Sequence, residues 1–115
     1  MSILIIHKHG CSSSGQVLNL LKASGKRYKI RHYLDNPLTA DEIKELSILG
    51  NIPVKQFLRE KEEIWQEKYA GSDFKDEEIL ALIESNPILL QRPILKRGKK
   101  VLIARPAETA VKFIK

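Results

Sequence analysis

Ile3-Leu4-Ile5-Ile6-His7-Lys8-His9-Gly10-Cys11-Ser12-Ser13-Ser14-Gly15 carries the clearest change of pattern in the chain. Ile3 to Ile6 is a continuous apolar run, the pattern of a strand buried on both faces. Gly10 and the serines break that run, and serine is a good helix N-cap. Val17, Leu18, Leu20 and Leu21 then recur at helical spacing, with Gly25 as the stop. The opening reads as strand, short loop, helix, with Cys11 at or near the helix N-terminus. Downstream, Tyr28, Ile30, His32 and Leu34 recur at every second position, which predicts a second strand. A strand–helix–strand unit of this length implies parallel pairing through a right-handed crossover.

The middle of the chain reads as helical. Thr39-Ala40-Asp41-Glu42 has the form of a capping box and opens a helix through Leu49, closed by Gly50. Pro53 starts a short helix to Leu58. Glu60 to Lys68 is dense in charge and predicts a solvated loop and helix. Ile79, Leu80, Leu82 and Ile83 mark a helix over 77–84, and Pro87 lies past its end. The last third changes character. Ile94-Leu95 and Val101-Leu102-Ile103, separated by Arg97-Gly98 and lysines, predict a β-hairpin. Pro106 then opens a last helix, with Val111 and Ile114 toward the core. The order is β-α-β, helices, β-β-α, and the fold class is α/β.

Composition bounds the function. A chain of 115 residues is one domain at ordinary domain sizes. Its Leu, Ile, Val and Phe content lies well above the roughly 20% below which disorder becomes the default. The formal net charge of +6 points to an anionic partner or substrate. No apolar run reaches the ~20 residues of a membrane helix, and no export signal is evident, so a cytoplasmic location is expected. A single cysteine excludes an intramolecular disulfide and a cysteine-rich zinc site. The three histidines lack ligand-like spacing, so no metal is expected.

Cys11 carries the strongest chemical signal. Unpaired N–H groups and the partial positive charge of a helix N-terminus favour a thiolate over a thiol. Cys11-Ser12-Ser13-Ser14 has the form Cys-x-x-Ser. Ser14 occupies the place of a resolving cysteine and cannot form a disulfide, so a reactive Cys11 needs a thiol from another molecule, such as glutathione. The bland reading of Ser12 to Ser14 is helix capping. His7 and His9 flank the loop, and either is placed to bond the thiolate or act as a base. Arg92-Pro93 and Arg105-Pro106 each put an arginine before a proline, where the backbone is held extended. A guanidinium offers a fork of donors suited to an oxyanion, and Arg59 follows the apolar pair Phe57-Leu58. Arg27, Arg31 and Arg97 read as surface charge. Lys96, Arg97, Lys99 and Lys100 read as a solvated hairpin turn, and with no interleaved aromatics nucleic acid is not expected.

These residues together resemble the glutaredoxin-coupled arsenate reductases of the ArsC type. His7 and Cys11 match that family's His-x-x-x-Cys, and Cys11-Ser12-Ser13-Ser14 is similar to its Cys-Gly-Thr-Ser loop. Phe57-Leu58-Arg59 is similar to Leu-Leu-Arg, and Asn86-Pro87-Ile88-Leu89-Leu90-Gln91-Arg92-Pro93-Ile94 to His-Pro-Ile-Leu-Ile-x-Arg-Pro-Ile. Ala104-Arg105-Pro106-Ala107-Glu108 matches Cys-Arg-Pro-Ser-Glu. The resemblance implies a single thioredoxin-like domain over 1–115 with a helical insertion at about 39–86. It implies Cys11 as the nucleophile toward arsenate, supported by His7, with Arg59, Arg92, Arg105 and Ser14 at the oxyanion and Pro93 as a structural cis-proline. It implies no bound cofactor, glutathione as co-substrate, glutaredoxin as partner, arsenite as product and a monomer. Two departures stand out: the loop His7-Lys8-His9-Gly10-Cys11 replaces His-Asn-Pro-x-Cys, and Gly15 stands where an arginine is usual. Relatives in the same superfamily imply two alternatives, a glutathione-dependent thiol reductase and an Spx-type regulator that binds RNA polymerase.

Overall fold

The computed structural model describes residues 2–115. They fall into two compact units, one of 2–36 with 92–115 and the other of 37–91. The first unit holds β1 (Ile3–His7), α1 (Ser12–Ser24), β2 (Tyr28–His32), β3 (Ile94–Arg97), β4 (Lys100–Ile103) and α5 (Thr109–Ile114). The second holds α2 (Ala40–Gly50), α3 (Glu63–Lys68) and α4 (Asp76–Ser85), with 3-10 turns at Val54–Phe57 and Pro87–Leu89.

The four strands form one sheet in the order β2-β1-β3-β4. β1 pairs with β2 in parallel, Ile5 opposite Ile30. It pairs with β3 antiparallel, Ile6 opposite Ile94 and Leu4 opposite Lys96. β3 and β4 form the hairpin. This is the mixed sheet of a thioredoxin-like α/β fold. Central β1 is apolar almost throughout because both its edges are paired, and Ile3 and Ile5 are buried with Val17 and Leu21 of α1, Leu95 of β3 and Ala110 and Ile114 of α5.

Several local expectations shift. β2 stops at His32 because the amides of Asp35 and Asn36 both turn back onto the His32 carbonyl. Tyr33 is buried and Leu34 is exposed, so the two-residue period ends one turn early. α2 has the full capping box, Thr39 Oγ1 accepting from the Glu42 amide at 3.1 Å and Glu42 Oε1 from the Thr39 amide at 3.0 Å. It closes on Asn51 in the left-handed region, φ 51°, where asparagine can stand in for glycine, and Gly50 is the last helical residue. The final helix begins at Thr109, not Pro106. Residues 106–108 form tight turns, with the amides of Thr109 and Ala110 bonded to the carbonyls of Pro106 and Ala107. That start turns Ala110 and Ile114 inward and leaves Val111 at 42% exposure.

In the second unit α2 packs on α4, and the 3-10 turns close over α4. The segment expected to be solvated is anchored. Trp65 is only 5% exposed and its ring lies 5.6 Å from Tyr69 and 5.8 Å from Phe74. Charged residues at helical spacing hid one apolar face made by a single large side chain.

Candidate active site

Cys11 is the N-cap of α1, in extended geometry, and its carbonyl accepts the Gly15 amide at 2.9 Å. No serine hydroxyl caps this helix, so the expected capping role of Ser12 to Ser14 gives way to a different one. Burial pushes the Cys11 thiol up, but that is outweighed by the Ser14 amide, the hydrogen bond and charge of Arg92 and the Ser13 amide, all of which favour the thiolate. The result is a thiol lowered from 9.0 to about 7, which leaves a large thiolate fraction at neutral pH. The serines therefore act through main-chain N–H groups. Ser14 is fully buried and its hydroxyl lies 3.4 Å from the Lys8 amide, steadying the loop that ends at Cys11.

The antiparallel pairing of β1 with β3 sets the start of β3 beside the end of β1, and so brings Arg92 to Cys11. Arg92 is buried, and the bond between it and Pro93 is cis. The Arg105–Pro106 bond is cis as well. Arg105 is half-buried and its Nη1 donates to the Arg92 carbonyl at 3.0 Å. Two guanidinium groups thus belong to one end of the sheet, one of them on the thiolate.

His7 closes β1 and is buried. Burial holds its pKa below 6.5, helped by repulsion from His32, His9 and Lys22, while a backbone hydrogen bond with Ser14 opposes the shift. Its Nδ1 has no hydrogen-bond partner, and its ring stands edge-on to His32 at 5.7 Å. His7 is therefore neutral at pH 7. His32, at the end of β2, is a neighbour that strand alternation alone did not single out.

Arg59 belongs to the second unit. Its main-chain amide bonds to the Leu89 carbonyl at 2.7 Å, next to the bridge between Leu58 and Leu90. Its Nε donates to Glu62 Oε1 at 2.9 Å, and its Nη1 is buried with no partner. A half-buried guanidinium with an open donor suits an anion. The one local signal for Glu62 is its position three residues after Arg59. Gly15 lies in the first turn of α1, and a Cβ there would meet nothing within 4 Å. Among the described residues no cluster of His, Cys, Asp and Glu could hold a metal, and no helix is long and apolar enough to cross a membrane.

The ArsC family pattern matches residues 7–113, from the histidine at the end of β1 to the last helix. The chain belongs to the ArsC family. Among its relatives, the arsenate reductase of Haemophilus influenzae is 31% identical over 116 residues, covering 99% of this chain and all of that one. The uncharacterised protein YfgD of Escherichia coli is 32% identical over 114 residues, covering 97% of this chain and 96% of its own length. The solved structure of an arsenate reductase from Vibrio cholerae is 30% identical and superposes with a TM-score of 0.89 over 97% of both chains. The chain has a cysteine at the end of its first loop, an arginine before each of two prolines, and glycine at position 15.

Proposed function

We propose that this protein is an oxidoreductase that reduces arsenate to arsenite with glutathione and glutaredoxin. The observation that carries the reading is the Cys11 thiol at the α1 N-terminus, lowered to about 7 by two main-chain amides and Arg92 against the opposing effect of burial. In the proposed reaction the Cys11 thiolate attacks arsenate and displaces water, forming an S–As bond. Arg92 and Arg105 stabilise charge on the arsenate oxygens, Ser14 holds the loop, and Arg59 supplies a guanidinium of the same kind. Neutral His7 backs the loop. A glutathione thiolate then attacks Cys11 Sγ. The S–As electron pair leaves with arsenic, which falls from As(V) to As(III), and Cys11 is left as a mixed disulfide with glutathione. Glutaredoxin takes the glutathione by thiol–disulfide exchange and returns the thiolate. The absence of a second cysteine agrees with an external resolving thiol. The reading includes no bound cofactor, a monomer and a cytoplasmic location.

A second reading, glutathione-dependent thiol reduction, draws on Gly15. Glycine leaves open space and no added cation in the turn after Cys11, which favours an organic thiol partner over a small oxyanion. One assay separates the two. NADPH oxidation is followed with glutathione, glutathione reductase and glutaredoxin, with arsenate or with a low-molecular-weight disulfide, for wild type and Cys11→Ala. Arsenate-dependent turnover that vanishes in the variant supports the first reading. Turnover with the disulfide alone replaces it by the second.

A further inference from the structure

The β3–β4 hairpin and α5 enclose an open cleft of about 830 Å³. Arg97, Lys99 and Lys100 line it from the hairpin, and Lys112 and Lys115 from α5. Among the described residues no acidic side chain lines it. Its apolar surface comes from Leu102 and the half-buried Phe113, with Thr109 beside them. The two walls are fastened to each other, because Arg97 Nη1 donates to the Ile114 carbonyl at 3.1 Å. Arg97 is thus a tie within the first unit, not the surface charge its sequence context suggested. The side chains of Lys99, Lys100 and Lys112 make no ion pair or hydrogen bond among the described residues.

The cleft is separate from the Cys11 site. β1 runs from Ile3 to His7, and its pairing sets Lys96 opposite Leu4 and Ile94 opposite Ile6. Cys11 follows the His7 end, while the hairpin turn lies toward the Ile3 end. A five-residue strand spans roughly 13 Å at about 3.3 Å per residue. Five converging cations are therefore held away from the thiolate that the proposed reaction uses, and that reaction gives them no role.

Like charges gathered on a braced cleft are mutually repulsive, and a bound anion relieves that repulsion. The volume lies within the roughly 300–1,000 Å³ of small-ligand sites. Phe113 and Leu102 among the lysines offer an apolar face for a flat ring, with cations around it for phosphates. A single strand held by base stacking uses several aromatic side chains in a row, and among the described residues Phe113 is the single aromatic lining this cleft. We infer that the cleft between the β3–β4 hairpin and α5 is a binding site for a nucleoside polyphosphate, held by Lys99, Lys100, Lys112 and Lys115 with its base against Phe113.

The test is calorimetric titration of the full chain with metal-free ATP at physiological salt, beside tripolyphosphate and a short oligothymidylate. ATP is expected to bind at least tenfold tighter than tripolyphosphate. Lys99→Glu with Lys112→Glu should weaken ATP at least tenfold while the circular dichroism spectrum and the Cys11 alkylation rate stay unchanged. The milder Lys99→Gln with Lys112→Gln should weaken it by less, in the same direction. The inference is overturned if ATP does not bind up to millimolar concentration, or if the double variants bind it as well as wild type. It is equally overturned if tripolyphosphate matches ATP, or if the oligonucleotide binds tighter than ATP.

Discussion

Arg105 Nη1 donates to the main-chain carbonyl of Arg92 at 3.0 Å, so one proline-preceding arginine holds the backbone of the other. Arg92 in turn supplies both a hydrogen bond and a positive charge to the Cys11 thiolate. The two Arg-Pro pairs form a short chain of support that ends on sulfur. In wild type, the rate of Cys11 alkylation by iodoacetamide should be half-maximal near pH 7. Arg92→Gln should move that midpoint up toward the ordinary thiol value, because the Ser14 and Ser13 amides remain but the cation is gone. An unchanged midpoint would show that the amides alone hold the thiolate.

Arg105→Gln should act more weakly on the same readout. It leaves the Arg92 side chain in place and removes only the donor on its carbonyl. The alkylation midpoint should lie between those of wild type and Arg92→Gln. A midpoint at or above that of Arg92→Gln would mean that Arg105 acts on the thiolate directly.

Glu62 holds Arg59 through a hydrogen bond to Nε and leaves Nη1 open. Under the arsenate reading, Glu62→Gln should raise KM for arsenate several-fold with a smaller change in kcat. It keeps the acceptor but weakens the charge-assisted bond that orients the guanidinium. An equal fall in kcat at constant KM would place the effect elsewhere.

His7 gives a stability signature. Burial lowers its folded-state pKa below the 6.5 of the unfolded chain, so the unfolded state binds the proton more readily. The stabilisation from a neutral His7 is fully present above pH 6.5 and is lost as pH falls from there through the folded value. Urea midpoints measured from pH 8 to pH 5 should decline below pH 6.5 in wild type, and decline less in His7→Gln. Parallel curves for the two proteins would remove His7 as the cause.

Leu21 is fully buried on the inner face of α1, in one cluster with residues of β1 and α5. Leu21→Ala should cost about 2–5 kcal/mol of stability, as for large-to-small changes in packed cores. It should also raise the pH midpoint of Cys11 alkylation, since the same helix presents the Ser13 and Ser14 amides. Gly15→Arg should be tolerated in the fold, because the position is helical and a side chain there meets open space. Under the arsenate reading it should lower KM for arsenate by adding a cation near the thiolate.

Elements whose signals are local can be read directly from the residues. The apolar run at Ile3 to Ile6, the Gly10 break, the Thr39 and Glu42 pair and the two Arg-Pro dipeptides each act within a few residues, through periodicity, capping or steric restriction of the backbone. They were enough to read the α/β order and to single out Cys11. Features that depend on residues distant in sequence emerge only in the folded chain. Antiparallel pairing of β1 with β3 brings Arg92 to Cys11. Burial then neutralises His7, places Trp65 inside a charged segment, and turns Ala110 and Ile114 inward in place of Val111. The hairpin lysines line a cleft because α5 supplies its other wall, tied to the hairpin by the Arg97 bond to the Ile114 carbonyl. Burial and field depend on which surfaces meet, and that is set by strand register and helix packing, which no window of neighbouring residues contains.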